Sequence, residues 1–178
     1  MPANDDLKSL VRTIPDFPRP GIQFRDITTL LLDPRGLAEA VVRLAALQEG
    51  PFDLVAGIEA RGFVFGAAVA RELGVGLLLI RKDGKLPGAT IGEDYALEYG
   101  ADRIVLHEDA LLPGQRVLLI DDLIATGGTA RAAVRLIRKA GGTVGAAAFV
   151  IDLPDLGGAD ALRGDGVTVG ALMAFGGD

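Results

Sequence analysis

The sequence predicts a doubly wound α/β fold with a mostly parallel sheet and a small N-terminal cap. Two observations support this fold class: short runs of continuous apolar residues alternate with helical segments, and Gly-rich or charged sequences directly follow several of those runs. Continuous apolar runs are typical of strands that helices cover on both faces. Such sheets bind ligands at the carboxyl ends of their strands. The sequences at 59–62, 81–85 and 121–129 are therefore the predicted binding region.

The elements follow in order along the chain. Residues 14–33 contain three prolines and precede the sheet, so we expect them to form the main part of a cap that covers approximately residues 1–33. Residues 81–103 are polar and have no clear period until their end, which is typical of a long functional loop. Apolar runs predict strands, and apolar residues at helical spacing predict helices. The predicted strands are 53–58, 75–80, 116–122, 143–151 and 167–175, and the predicted helices are 63–73 and 129–140.

Composition restricts the classes of function. The chain has 178 residues, which predicts a single domain over 1–178. It has no cysteine and one histidine, which excludes disulfides, thiolate nucleophiles and His-rich metal sites. The net charge of −6 argues against a nucleic-acid partner. We find neither a signal peptide nor an apolar run of the ~20 residues that a membrane helix needs, so we expect a cytoplasmic protein with no membrane partner.

The stretch VLLIDDLIATGGTA, residues 117–130, predicts a phosphate site. A strand, a Gly-containing loop and a helix follow one another, and the first N–H groups of a helix have no intrahelical acceptor. Glycine lets the backbone close on a phosphate. An ordinary helix N-cap is the alternative for this Thr-Gly-Gly-Thr run. The predicted phosphate-binding residues are Ala125, Thr126, Gly127, Gly128 and Thr129.

The adjacent carboxylates Asp121 and Asp122 end the preceding strand. Neighbouring strand residues point to opposite faces, so this pair does not suit an acid/base device that needs both groups at one centre. Carboxylates suit ribose hydroxyls and hydrated magnesium instead. The sequence has neither a P-loop nor a Gly-x-Gly-x-x-Gly motif after a strand. A ligand with a phosphate at one end and vicinal hydroxyls in the middle fits the whole stretch.

VLLIDDLIATGGT resembles the signature of type I phosphoribosyltransferases, which use 5-phosphoribosyl 1-diphosphate (PRPP). Five further segments are similar to the adenine phosphoribosyltransferase family and occur in that family's order. The resemblance covers about residues 7 to 175. These segments are IPDFPRPGIQFRDIT (14–28), EARGF (59–63), RKDGKLPG (81–88), YALEYG (95–100) and DLGG (155–158).

The pyrophosphate end of such a site should be basic. Arg61, Arg81, Lys82 and Lys85 cluster at predicted strand ends and are candidates on that ground, although a lone basic residue is usually a solvated surface charge. The resemblance implies that EARG is the pyrophosphate loop, which adds Glu59 and Ala60, and that the Glu59–Ala60 peptide is cis. It also implies that Arg81 reaches across a dimer interface.

The remaining assignments follow from the resemblance. Glu98 matches the family's catalytic glutamate, and Tyr99 is expected to pack beside it. Phe24 and Leu153 are expected to cover the two faces of the base, for which simple core packing is the alternative. Backbone groups near Gln23 and Arg25 would read the edge of the base. Gln23 departs from the apolar residue that the family often has there, and Asp83 is a second departure.

The resemblance thus implies the transfer of phosphoribose from PRPP to adenine, which gives AMP and pyrophosphate. It implies Mg²⁺ bound with PRPP and a homodimer. One alternative is a transferase for guanine, hypoxanthine or xanthine, which would be expected to use a lysine in the base pocket; residues 140–178 contain no lysine. The other is a non-catalytic PRPP-binding regulator, which would need a DNA-binding segment that this acidic chain does not provide.

Overall fold

The computed structural model describes residues 4–96 and 100–176. Its secondary structure alternates as the fold class requires. The strands are β1 Arg12–Pro15, β2 Gln23–Asp26, β3 Leu54–Ile58, β4 Gly76–Lys82, β5 Thr90–Ala96, β6 Ala101–His107, β7 Arg116–Ile124, β8 Thr143–Asp152 and β9 Thr168–Ala174. The helices are α1 Asp5–Lys8, α2 Thr28–Leu32, α3 Pro34–Ala46, α4 Gly62–Leu73, α5 Gly128–Lys139 and α6 Gly158–Gly164, with a 3₁₀ turn at Pro154–Leu156.

The main sheet confirms the predicted mostly parallel α/β architecture. In the described part of the chain its seven strands run in the order β5-β6-β4-β3-β7-β8-β9. The five strands from β4 to β9 in this order are parallel to their neighbours. Strands β5 and β6 are antiparallel, and β6 joins β4 only at Arg81 and Lys82. The order reverses at β3, where a doubly wound sheet places its ligand.

The prediction of a structureless stretch over 81–103 is wrong for most of that stretch. Residues 90–96 and 101–107 form the β5–β6 hairpin, in which Asp94 pairs with Arg103 and Tyr95 pairs with Asp102. Only Gly92 and Tyr95 of β5 are buried. The hairpin lies at the edge of the sheet, where one face is solvated, so its sequence is polar and lacks the continuous apolar run of a central strand.

Helix α3 has no counterpart among the predicted elements, although it has clear start signals. Asp33 accepts a hydrogen bond from the Gly36 N–H at 2.6 Å, and Pro34 occupies the first turn. Both features are typical of a helix N-terminus. Ala40 and Leu44 are buried on its inner face. This helix therefore helps to cover the sheet and belongs to neither the predicted cap nor a loop.

Two hydrophobic cores cover the faces of the sheet. One packs α3 and α4 on the sheet and includes Leu44, Phe65 and Val69. The other packs α5 and α6 and includes Ile137 and Phe149. Burial of each large side chain contributes about 1.5–3 kcal/mol. The cores hold the strands rigidly, so the loops at their carboxyl ends are presented from a fixed frame. None of the helices in the described ranges is both long and apolar enough to cross a membrane.

The N-terminal cap is a β1–β2 hairpin flanked by α1 and α2. Asp26 is buried and joins the hairpin to α2, because it pairs with Arg12 and accepts hydrogen bonds from the Thr28 N–H and hydroxyl, both at 2.9 Å. The Thr28 backbone N–H, and then Arg12, lower the pKa of Asp26 to about 2. This ionised carboxylate fixes the strand that carries Gln23, Phe24 and Arg25.

Candidate functional site

The loop between β7 and α5 is built to bind an anion. Gly127 has a positive φ of 82°, and a Cβ at this position would lie 2.9 Å from the Gly158 carbonyl oxygen. Gly158 in turn donates its N–H to Ala125 O at 3.0 Å. Only glycine lets the loop pack this closely against the start of α6. The first N–H groups of α5 therefore face a cleft of about 200 Å³ whose lining includes Ala125, Thr126, Gly127, Gly128 and Thr129.

Asp121 and Asp122 lie beside this loop and differ in their surroundings. Asp122 is buried and pairs with Arg61. Asp121 accepts a hydrogen bond from the Asp122 N–H at 2.9 Å, and a Cβ at Gly62 would lie only 2.6 Å from its Oδ1. Burial, and then the charge of Asp122, raise the pKa of Asp121 well above its ordinary value. Both residues line a second cleft of about 240 Å³ next to the loop.

Of the four basic residues predicted for pyrophosphate, Arg61 and Lys82 line this second cleft, whereas Arg81 and Lys85 do not. Arg61 immediately precedes α4, and Lys82 is the last residue of β4. Arg81 pairs with Glu59, with 3.2 Å between Nε and Oε2, and Glu59 also accepts the Lys82 N–H at 2.9 Å. Burial would raise the pKa of Glu59, but these hydrogen bonds outweigh it, and the pKa is lowered. The Glu59–Ala60 peptide is cis, as the resemblance implied.

Three of the four basic residues that the sequence predicts for pyrophosphate form ion pairs with carboxylates of the same chain. Arg61 pairs with Asp122, Arg81 with Glu59, and Lys82 with Asp102. Lys85 is exposed on the turn after β4, where Arg81 donates to its carbonyl at 3.0 Å. This pairing limits the repulsion among neighbouring cations. Asp102 was absent from the sequence-based site, because its place depends on the register of a hairpin that the sequence pattern did not reveal.

The predicted base-stacking residues lie near different parts of the site, Phe24 near Arg61 and Leu153 at the end of β7. The guanidinium carbon of Arg61 lies 6.0 Å from the centroid of the Phe24 ring, and Phe17 packs edge-on to the same ring with 5.3 Å between centroids. Leu153 directly follows β8, and its N–H donates to Ile124 O at 3.0 Å. Phe24 thus lies on the Arg61 side of the site, and Leu153 lies beside the end of β7.

Gln23 and Arg25 flank Phe24 in β2. The Arg25 side chain extends away from the acidic pair, since Nη1 donates to Thr13 Oγ1 at 2.7 Å and the guanidinium lies 4.7 Å from the centroid of the Phe175 ring. Gln23 pairs with Pro15 across the hairpin.

Glu98 and Tyr99 lie outside the described residues, but the strands that flank them are fixed on α5. Arg135 pairs with Glu93 at 2.7 Å, and Lys139 donates to Gly92 O at 2.9 Å. A Cβ at Gly128 would lie 3.5 Å from Ala96 O. The Ala96 carbonyl therefore lies close to the start of α5.

Comparison with known proteins agrees with this geometry. Residues 24–162 match the family model described as a phosphoribosyl transferase domain. The adenine phosphoribosyltransferase of Sphingopyxis alaskensis is 61% identical over 97% of this chain and 95% of its own length. The Erythrobacter litoralis protein of the same name is 60% identical over 97% and 98%.

Solved structures give the same result. The adenine phosphoribosyltransferase of Thermoanaerobacter pseudethanolicus has a TM-score of 0.92 at 46% identity and covers 96% of this chain and 99% of its own. The Saccharomyces cerevisiae protein, complexed with adenine and an imino-altritol bisphosphate, has a TM-score of 0.88 at 34% identity, with 95% and 97% covered. The resemblance that the sequence motifs indicated is confirmed. The chain belongs to the adenine phosphoribosyltransferase family and is a phosphoribosyltransferase enzyme.

Proposed function

We propose that the chain transfers the 5-phosphoribosyl group of PRPP to adenine, giving AMP and pyrophosphate, at the carboxyl edge of β3, β4 and β7. One observation supports this site above the others: an anion-binding loop, an acidic pair and a basic cluster follow one another along two adjoining clefts. PRPP has its phosphate, its hydroxyls and its diphosphate in the same sequence. The names of the relatives support adenine as the acceptor.

In this proposal the 5′-phosphate binds at residues 125–129, and the ribose hydroxyls bind Asp121 and Asp122. A phosphate at the start of α5 would accept backbone N–H groups that the helix leaves unpaired, and it would be favoured by the helix dipole. Carboxylates accept two hydroxyl hydrogen bonds well. The Asp122–Arg61 pair also links the ribose region to the pyrophosphate region.

The departing pyrophosphate would bind Arg61, Lys82 and the loop Glu59–Ala60, with Arg81 and Lys85 adding charge from the end of β4. Cations and backbone donors held in place before the reaction stabilise the charge that develops on the leaving group. The carboxylates that pair with Arg61, Arg81 and Lys82 reduce the repulsion among these cations. In this proposal the protein acts mainly by positioning the two substrates and excluding water, and contributes little covalent chemistry.

Glu98 is proposed to exchange a proton with the purine while another ring nitrogen attacks the ribose C1′, with Tyr99 beside it. Phe24 and Leu153 would cover the adenine ring, and the backbone near Gln23 and Arg25 would read its edge. The match of Glu98 to the family's catalytic glutamate supports this role. A carboxylate near C1′ also suits a transition state with positive charge on the sugar.

Mg²⁺ is proposed to arrive with PRPP and to neutralise part of the pyrophosphate charge. Within residues 4–96 and 100–176, no group of three or more Asp, Glu or His side chains could hold a metal ion by itself. The acidic pair fits an ion whose ligands are mainly substrate oxygens and water, as Mg²⁺ prefers, with no direct protein ligand assigned. Asp121 and Asp122 would then orient the hydroxyls and waters around the ion.

A homodimer is proposed through the apolar surface formed by Leu73, Leu77 and Leu79, which are 36%, 36% and 40% exposed. Leu77 and Leu79 lie on one face of β4, and a Cβ at Gly66 of α4 would lie 3.4 Å from Leu77. Arg81, which the family resemblance places at a dimer interface, is the next-to-last residue of the same strand. Sedimentation should give twice the monomer mass of 18.5 kDa, and a monomer at micromolar concentration would contradict this.

The cytoplasm is proposed as the location, because a substrate with as many charges as PRPP does not cross a lipid bilayer unaided. The enzyme must then act in the compartment that makes PRPP. Fractionation of the cells that make this protein would test this location, which predicts that the protein is found in the cytoplasmic fraction.

The acceptor is tested by incubating the chain with PRPP and Mg²⁺ and offering adenine, guanine, hypoxanthine and xanthine separately. We expect AMP to form, with pyrophosphate in equal amount, at a rate well above that of any other nucleotide. Faster formation of IMP, GMP or XMP would favour the 6-oxopurine alternative. Binding of PRPP with no nucleotide formed would favour the non-catalytic regulator.

Glu98→Ala should lower kcat by about 10²–10⁴-fold, the usual contribution of general acid–base catalysis, while the Kd for PRPP stays close to that of the unmodified protein. Stopped-time assays measure kcat, and calorimetry measures the Kd for PRPP. Glu108→Ala, which removes an exposed carboxylate after β6, is the matched control and should change neither. Equal losses of rate and PRPP affinity in the Glu98 variant would assign it a structural role.

Asp121→Asn should stabilise the unliganded protein while weakening its affinity for PRPP. In the unfolded chain the pKa of the Asp121 carboxyl is ~3.9. In the folded chain, burial and the charge of Asp122 raise this pKa. The free energy of unfolding therefore falls as the pH rises from the unfolded pKa through the folded one. The amide removes this dependence and should raise Tm at pH 7 by a few degrees. Melting curves between pH 4 and 8 measure it.

The exposed carboxylate Asp109 provides the control Asp109→Asn, which should leave both Tm and PRPP affinity unchanged. A lower Tm of the Asp121 variant at pH 7 would show that its carboxylate stabilises the empty site. An unaltered PRPP affinity would remove Asp121 from the ribose site.

A further inference from the structure

The Lys82 side chain lines the proposed pyrophosphate cleft and is held by two other polar side chains. Its Nζ lies 3.0 Å from the Tyr95 hydroxyl and pairs with the Asp102 carboxylate. The Tyr95 hydroxyl also donates to Asp102 Oδ2 at 3.0 Å. The three polar groups therefore form a closed triangle, with Lys82 from β4 and the other two from the β5–β6 hairpin.

The hairpin makes this triangle rigid. Tyr95 and Asp102 are directly opposite each other in the β5–β6 register, so their side chains share a face. The Tyr95 side chain is buried. Asp102 Oδ1 accepts the N–H of Arg103 at 2.8 Å, which fixes the carboxylate while Oδ2 meets Lys82. A long and flexible lysine stem is thus attached to a preorganised pair of acceptors.

The number of donors on Lys82 leaves room for a ligand. An ammonium group has three N–H donors and no acceptor. Tyr95 and Asp102 take two of them, and the third is available to the cleft that Lys82 shares with Ala60, Arg61 and Asp122. Lys82 can therefore donate to a phosphate oxygen without leaving the triangle.

We propose that Asp102 and Tyr95 are positioning residues that hold the Lys82 ammonium at the pyrophosphate end of the site. The proposal rests on the function proposed above, in which Lys82 binds pyrophosphate. They act through Lys82, because their contacts restrict its ammonium group and leave the third donor for the leaving group. The hairpin that carries Glu98 thereby also sets the geometry of the leaving-group site.

Asp102→Asn tests the proposal in the reverse reaction, in which AMP and pyrophosphate give PRPP and adenine. The amide keeps the size of the side chain and removes its charge, so Lys82 loses its charge-assisted partner. We expect the KM for pyrophosphate to rise about tenfold, the usual effect of losing one such hydrogen bond. The KM for AMP should not change. Tyr95→Phe should shift the KM for pyrophosphate in the same direction.

Asp94→Asn is the matched control, because Asp94 pairs with Arg103 across the same hairpin and faces away from the cleft on an exposed side chain. It should leave both KM values unchanged. An unchanged KM for pyrophosphate in the Asp102 variant would overturn the proposal. A lowered KM would overturn it too, since it would mean that Asp102 competes with pyrophosphate for Lys82.

A double-mutant cycle separates positioning through Lys82 from a general effect on the fold. Lys82→Ala should raise the KM for pyrophosphate, and Asp102→Asn should add nothing to it in that background. If Asp102→Asn raises the KM as much in both backgrounds, it acts on the structure and the proposal fails. If Lys82→Ala itself leaves the KM unchanged, the proposed pyrophosphate role of Lys82 fails, which is a separate outcome.

Discussion

The site depends on the register of three parallel strands. Gly57 of β3 lies opposite Ile120 of β7, and Ile58 lies opposite Ile80 of β4. The residues that follow each strand are therefore neighbours at one edge: Glu59–Arg61 after β3, Arg81–Lys82 at the end of β4, and Asp121–Asp122 near the end of β7. A slip of one residue would turn every strand side chain to the opposite face. The two packed cores hold the register, and the chemistry follows from it.

Charge balance is the second constraint on this edge. Three cations at this edge form ion pairs with carboxylates: Arg61 with Asp122, Arg81 with Glu59 and Lys82 with Asp102. Asp121 is the exception, because it has a carboxylate neighbour and forms no ion pair among the described residues. Partial removal of a carboxylate from water disfavours its charged form. The proposed substrate hydroxyls and hydrated cation would supply favourable partners for this side chain.

Much of this edge could be predicted from the sequence, because its signals are local. An apolar run followed by Asp121, Asp122 and the Thr-Gly-Gly-Thr loop specifies a strand, a turn and a helix within fourteen residues. The central sheet was predictable for the same reason. The β5–β6 hairpin was not, since an edge hairpin with one solvated face lacks a continuous apolar run. Helix α3 had an N-cap and a proline at its start, and these signals could have identified it.

Partnerships between distant segments could not be predicted from the residues alone. Lys82 was recognised as a candidate cation from its position after a strand, but its contact with Asp102 follows from hairpin register. The contacts of the Arg25 side chain with Thr13 and Phe175 are likewise set by the fold. Glu98 and Tyr99 lie outside the described residues, and their roles stay predictions that derive from family resemblance. Contacts of this kind depend on the tertiary fold and leave no periodic signal.

The orientation of PRPP along the carboxyl edge is the central claim, and a crystal structure of the chain with PRPP and Mg²⁺ tests it most directly. The account predicts the 5′-phosphate on the backbone N–H groups of residues 126–129, the ribose hydroxyls within hydrogen-bond distance of Asp121 and Asp122, and the diphosphate between Arg61 and Lys82. A diphosphate bound at residues 126–129, or hydroxyls remote from both carboxylates, would contradict it.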